Sequence, residues 1–280
     1  MSLDNILDML ETDITTRMTR SGIMFRIFSR VKSVDSLRHK VTFKSKKYLE
    51  GKAKIQDMLG MRIVLYFPDD VEALSAFLGN NDVVKRAIDE HDISTFCPQR
   101  LNLTKNIPEE YVEEFRKGLP EDLAQFVDNT YEIQIRTIFS EGWHEVEHDM
   151  RYKCKQDWVG CEQNSRTLNG MIATLETVEW GMESLFQEMA QRNFQQGNYR
   201  AMLRNKMRLR FANSDFSERV TDFLSKNRDV AEQLLNTDRI VLILSMLNRE
   251  DDIPLTFDNV LFLANKIDIM NKDLMELESN

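Results

Sequence analysis

The chain is short of cysteine, of histidine and of long apolar runs, and each shortage removes a class of protein. Three cysteines, Cys97, Cys154 and Cys161, are scattered through 280 residues. That is too few and too irregular for a disulfide framework, so a reduced, cytoplasmic setting is expected. The greasiest stretch, Ile240-Val241-Leu242-Ile243-Leu244, is far below membrane-spanning length, so no membrane partner is expected. Met1-Ser2-Leu3-Asp4-Asn5 has neither a basic n-region nor an apolar h-region, so no secretory leader is expected. No internal repeat is visible. What is present is an apolar share of 42%, enough for a proper core, and 30% charged residues.

The formal net charge is -9, but it is unevenly placed. Between Arg17 and Lys54 the basic residues number twelve, against two acidic ones, Asp35 and Glu50. The remainder is strongly acidic. A basic patch inside an acidic protein focuses field on a local anion, whereas wholesale nucleic-acid binding calls for a basic domain. The plainer alternative is a solvated helix face.

Residues 5–31 carry Ile6, Met9, Leu10, Ile14 and Met18 at helical spacing, and helix or turn is expected to continue over 33–49. Met61–Phe67 is short, β-branched or aromatic, and closed by Pro68-Asp69-Asp70, which predicts a buried strand, with a helix over about 70–79 behind it. Leu101-Asn102-Leu103 suggests a strand, and Pro108–Phe126 a helical insertion. Tyr131–Thr137 alternates, with Tyr131, Ile133 and Ile135 on one face and Glu132, Gln134 and Arg136 on the other. Residues 164–190 set Leu168, Met171, Ile172, Leu175, Val178, Met182, Leu185 and Met189 on one stripe of a long helix. A break is expected at Gln195–Asn198, then further helices with Ser214 and Thr256 as N-caps. The expected class is α+β, a mixed sheet flanked by helices over 1–195, followed by a helical appendage over 198–280.

A carboxylate on a polar strand face loses free energy on burial unless something compensates it. Mg²⁺ does so, taking one or two carboxylates and leaving its other positions to water and phosphate oxygens. Glu132 is one candidate and Asp57, just ahead of the first strand, the other. The alternative is a turn cap for Asp57 and a surface lysine partner for Glu132.

Four ordered blocks bear on this choice. They are Arg30-Val31-Lys32-Ser33-Val34-Asp35-Ser36-Leu37-Arg38-His39-Lys40; Ile55-Gln56-Asp57-Met58-Leu59-Gly60-Met61-Arg62-Ile63-Val64; Glu132-Ile133-Gln134-Ile135-Arg136-Thr137; and Trp143 to Lys153, with its Glu147-His148 and Tyr152-Lys153 pairs. Together they resemble the RelA/SpoT-type alarmone synthetase (GTP pyrophosphokinase) domain across about residues 20–160. The resemblance implies a nucleotidyltransferase-like mixed sheet. It implies transfer of the β,γ-pyrophosphate of ATP to the 3′-hydroxyl of a nucleotide, normally GDP or GTP. Carried over by position, Arg30, Lys32, Ser36 and Arg62 hold ATP phosphates, and Asp57 and Glu132 bind Mg²⁺ and are the catalytic pair. Gln134, Arg136, His148 and Lys153 face the acceptor. Where the family carries G-Y-x-S-x-H-L, with a tyrosine that stacks on the acceptor base, this chain has Cys97-Pro98-Gln99-Arg100-Leu101-Asn102-Leu103. Only the leucines fit, so the acceptor alternatives include another purine nucleotide and the 3′ end of tRNA. A catalytically reduced regulatory member is a further alternative.

Two other readings compete. His144-Glu145-Val146-Glu147-His148 fits the H-E-x-x-H zinc helix, with Glu176 or Glu179 as a conceivable third ligand and only His39 and His91 as further histidines. The methionine-rich stripes and the basic run Arg200, Arg204, Lys206, Arg208 and Arg210 fit a helical interaction protein, although methionine at helical spacing is more often core filling.

Overall fold

The computed structural model describes residues 1–43, 48, 53–79, 83–88 and 101–279. Within them a five-stranded mixed sheet has the order β1-β2-β5-β4-β3. Its strands are β1 (Phe25–Val31), β2 (Leu59–Leu65), β3 (Val83–Ile88), β4 (Leu101–Asn106) and β5 (Thr130–Thr137). β2 and β5 run parallel and every other pair antiparallel. In chain order the helices up to residue 195 are α1 (Leu3–Ser21), α2 (Val34–Phe43), α3 (Pro68–Gly79), α4 (Glu109–Lys117), α5 (Ile138–Glu147) and α6 (Glu162–Gln195). The later helices are α7 (Tyr199–Met207), α8 (Glu218–Lys226), α9 (Arg228–Asn236), α10 (Arg239–Leu247), α11 (Phe257–Ala264) and α12 (Lys272–Ser279).

The chain gathers into two compact units. One holds residues 1–15, 25–65 and 78–173; the other holds 16–24, 66–77 and 174–280. In the first, the central strands β2 and β5 supply most of the core, with Leu59, Ile63, Leu65, Ile133 and Ile135 buried together with Leu103 and Phe115. Leu59–Leu65 is buried at five of its seven positions, the exceptions being Gly60 and Arg62. In the second unit, Met202, Leu203, Met207, Val220, Leu234, Leu242 and Phe257 form the core. Phe257 is fully buried and stacks on Phe211, with ring centroids 4.1 Å apart. Burying such a ring contributes about 1.5–3 kcal/mol.

Three local expectations need correction. The first helix stops at Ser21, and residues 25–31 form β1 rather than its continuation. Gly22 ends the helix at φ +73°, a conformation glycine adopts without a Cβ penalty. Phe25–Val31 then pairs with Leu59–Leu65, a tertiary partner that outweighs local helical spacing. α8 is capped by Ser217, whose Oγ accepts the Val220 amide, not by Ser214. On α6 the buried side chains are Ile172, Glu179, Ala190 and Phe194, while Met171, Val178, Leu185 and Met189 are exposed. The face turned inward is thus displaced by about one residue from the expected stripe. The break at Gln195–Asn198 and the Thr256 cap stand as expected: Gly197 has φ +72°, and Thr256 Oγ1 accepts the Asn259 amide at 3.1 Å. No helix among the described residues is long and apolar enough to cross a membrane.

Candidate active site

The parallel pairing of β2 with β5 sets Gly60 beside Glu132 and Arg62 beside Gln134. On the other flank of β5, Asn102 lies opposite Gln134. Side chains alternate along a strand, so Arg62, Gln134 and Asn102 form one polar row across the sheet. Their apolar neighbours, Met61, Ile133 and Leu103, are buried. Gly60 leaves the space beside Glu132 open.

A pocket of ≈ 160 Å³ opens on this polar face. Asp57, Glu132, Arg30, Arg62 and Gln134 line it together with Gly60. Arg30 is exposed and makes no ion pair among the described residues. Asp57 is gripped from two sides. Lys40 Nζ lies 2.8 and 2.9 Å from its two carboxylate oxygens, and Lys32 Nζ lies 2.9 Å from Oδ2. Burial alone would push this carboxyl up, but the Lys40 and Lys32 ammonium groups outweigh it and hold Asp57 below the ordinary carboxylate range.

A second, linked network runs along β5. Gln134 Nε2 donates to Glu132 Oε1 at 2.7 Å, and Gln134 Oε1 accepts from Arg136 Nη2 at 3.1 Å and from Arg62 Nε at 3.3 Å. Arg62 also pairs with Glu141 and Glu145, and Arg136 Nη1 donates to Glu141 Oε2 at 2.8 Å. Burial would lower the Arg62 pKa, but the two glutamates hold it above its ordinary value. Thr137 explains the placement of these acids. Its hydroxyl accepts the Ser140 amide at 3.2 Å, so the last residue of β5 is also the N-cap of α5. Glu141 and Glu145 then fall one turn apart on the helix face toward the strand.

The pocket therefore brings together five of the residues expected from sequence: Asp57, Glu132, Arg30, Arg62 and Gln134. Lys32 joins through Asp57, and Arg136 through Gln134. Ser36, His148 and Lys153 do not line it. Ser36 accepts from Ser33 in the first turn of α2. His148 Nδ1 lies 2.9 Å from Asp149 Oδ1, its ring stacks on Tyr152, and Lys153 Nζ donates to the same Asp149 oxygen at 2.6 Å. Sequence reasoning placed Lys40 in the first block without a role of its own and missed Glu141 and Glu145. The signal for the glutamates was present: they stand four apart directly behind a polar strand.

Residues 97–100 of the divergent segment lie outside the described residues. Leu101 and Leu103 belong to β4 and are buried in the sheet. The two histidines of His144–His148 sit with ring centroids 5.8 Å apart on successive turns. Among the described residues no three His, Cys, Asp or Glu side chains gather for a metal, so the zinc reading gains no third ligand there.

Residues 29–157 match the family model described as a region found in RelA / SpoT proteins. The matched stretch includes Arg30, Asp57, Arg62, Glu132 and Gln134 of the pocket and both of its networks. Among solved structures the chain is similar to the small alarmone synthetase 2 from Bacillus subtilis, at 23% identity over 65% of this chain and 92% of that one, with a TM-score of 0.48. It is also similar to the small alarmone synthetase 1 of that organism bound to its product pppGpp, at 24% identity over 67% and 92% with a TM-score of 0.47. A third is a GTP pyrophosphokinase family protein from Streptococcus pneumoniae, at 18% identity over 65% and 86% with a TM-score of 0.46. Comparison with curated proteins gives no match.

Proposed function

We propose that the chain is an alarmone-synthetase-type pyrophosphokinase, which moves the β,γ-pyrophosphate of ATP to the 3′-hydroxyl of a nucleotide. The observation that carries this reading is the sharing of one pocket by Asp57 and Glu132 with the cations Arg30 and Arg62 around them. Phosphoryl chemistry of this kind needs positioning and charge stabilisation more than covalent participation.

Arg30 and Lys32 bind the transferred phosphates, Arg30 as a fork and Lys32 as a point charge. Arg62 holds Gln134 in place through Nε and contributes positive charge to the pocket wall. Two carboxylates with water and phosphate oxygens are a hard-oxygen donor set, which fits Mg²⁺. Asp57 and Glu132 would hold the ion, which when bound neutralises charge on the phosphate oxygens. Lys32 and Lys40 keep Asp57 ionised and aimed before nucleotide arrives. Glu132, held by the Gln134 amide, is placed to take the proton of the attacking hydroxyl. Gln134 and Arg136 orient the acceptor's side of the strand. His148 and Lys153, tied to Asp149 on the segment behind α5, are proposed to meet the acceptor's phosphates rather than ATP.

The acceptor is proposed to be GDP or GTP. The lost tyrosine segment keeps another purine nucleotide, or the 3′ end of tRNA, as the alternative. A reaction with ATP labelled at the γ-phosphate and a panel of GDP, GTP, AMP, ADP and tRNA tests the proposal. Label on one acceptor establishes transfer and identifies the substrate. No label on any acceptor, with ATP still bound, leaves a regulatory nucleotide-binding protein instead.

A further inference from the structure

The helical unit carries a half-open, polar-lined cavity of its own. It is lined by Lys206, Arg208, Arg239, Gln187, Gln191 and Asn236, and its volume of ≈ 250 Å³ is about eight times a water's ~30 Å³ share. Three cations and three amides around one small space make an unusual lining for a helical bundle.

Two of the cations are built in. Arg208 and Arg239 are each more than nine-tenths buried. Arg239 meets Asp70 at 2.6 Å and Asp69 at 2.8 Å, and its Nε donates to the Met207 carbonyl at 2.9 Å. Arg208 pairs with Asp69, and its guanidinium lies 4.8 Å above the Phe67 ring. Its backbone is left-handed, at φ 50°, an uncommon state for a side chain of this size. Such a conformation persists where the surroundings over-determine it, and it clusters at ligand sites.

The two aspartates account for the two guanidiniums. Lys206 is the remaining cation. It makes no hydrogen bond or ion pair among the described residues, while Asp238 attracts it at longer range and Arg208 and Arg239 repel it. Arg208 Nε is buried without a hydrogen-bond partner as well. Asp69 lines the same cavity, and its Oδ1 also lacks a partner. Unmet donors point to an oxyanion. An unmet carboxylate oxygen on a residue of the same lining suits an oxyanion that carries a proton to donate.

We propose that this cavity binds a protonated phosphate-type oxyanion, with Lys206 and Arg208 donating to its oxygens and Asp69 accepting from its hydroxyl. Hydrogen phosphate meets both demands, and a phosphomonoester meets them in its singly protonated form. Sulfate, which has no proton near neutral pH, leaves Asp69 facing a second anion. The proposal stands on the second unit alone and does not depend on the reading of the sheet pocket.

The test is the melting temperature of the full chain in inorganic phosphate or sulfate at matched ionic strength. Phosphate at about ten times its Kd is expected to raise it by about 2–4 °C, and sulfate by much less. Lys206→Met is expected to abolish the phosphate response, Lys206→Arg to retain it, and Lys32→Ala, in the sheet pocket, to leave it unchanged. Lys206→Met is also expected to melt higher than wild type without ligand, because it removes a buried unpaired charge. An AMP response that follows the same variants assigns the site to a nucleotide's phosphate; a response to phosphate alone assigns it to the free ion. Equal responses to sulfate and phosphate overturn the proposal. So does a phosphate response that survives in Lys206→Met or disappears in Lys32→Ala.

Discussion

Lys40 donates to both carboxylate oxygens of Asp57, at 2.8 and 2.9 Å, so the carboxylate expected to bind Mg²⁺ is already ionised and held. Asp57→Asn removes that charge and leaves Lys32 and Lys40 without it. ATP with Mg²⁺ is expected to raise the melting temperature of the wild type and not of the variant. Unchanged ATP affinity in the variant, measured by calorimetry, would sink the metal-binding role.

The same pair has a pH signature. The folded Asp57 pKa lies below its ordinary value of 3.8. Its contribution is therefore fully present above about pH 4 and is lost as pH falls through the lower, folded value. The group is partly exposed, so the effect is about 1 kcal/mol after allowance for solvent screening. Acid unfolding curves should show the loss in wild type and a flatter acid limb in Asp57→Asn. Parallel acid limbs would show that the pair contributes nothing to stability.

Arg136 is expected to be more a structural residue than a substrate contact. Its side chain is 3% exposed, and it joins Glu141 to Gln134. Arg136→Met leaves Glu141 with Arg62 alone and is expected to cost about 2–4 kcal/mol, readable as a lower urea midpoint. Adding Glu141→Gln should cost less than the sum of the single changes, because the two side chains share one network. Strict additivity would show that the bond carries no coupling.

Gly22→Ala tests the turn between α1 and β1. A Cβ there would fall 2.2 Å from Leu255 Cδ2 and 3.1 Å from the Arg210 carbonyl oxygen, on a backbone already at φ +73°. The leucine can rotate away, but the backbone conformation and the carbonyl cannot. A loss of about 1–3 kcal/mol is expected, seen as a lower melting temperature with the fold retained. A melting temperature equal to wild type would mean that the turn relaxes freely.

The features legible in the sequence were those with a local period. β5 shows its alternation, β2 its apolar run, and α6 its length, because each burial pattern is written within a few residues. β1 was missed because Phe25–Val31 is an edge strand whose paired residues on β2 lie 28 to 40 positions away. Asp57 and Glu132 could be named from residue type and resemblance. Their meeting in one pocket depends on the parallel register of β2 and β5, which pairs residues 72 apart. The Asp69 and Asp70 partners, Arg208 and Arg239, are 139 and 169 residues distant along the chain. Nothing local in Pro68-Asp69-Asp70 distinguishes such acids from an ordinary helix N-terminus.

Lys206 offers a prediction of opposite sign to that for Asp57. Burial, reinforced by Arg239 and Arg208 and opposed by Asp238, lowers its pKa from 10.5 to about 8. Between those values the unfolded chain binds a proton that the folded one does not. Stability therefore rises with pH across about pH 8 to 10.5, and below pH 8 the cost of the buried charge is present in full. That cost is about 1–3 kcal/mol after discounting for partial solvent access. Other groups titrate in this range, so the informative quantity is the difference between wild type and Lys206→Met. The variant should be the more stable at pH 7, and the two curves should converge as pH approaches 10.5. A constant gap over that range would mean that Lys206 is solvated enough to titrate like any surface lysine, and its part in a built anion site would then be lost with it.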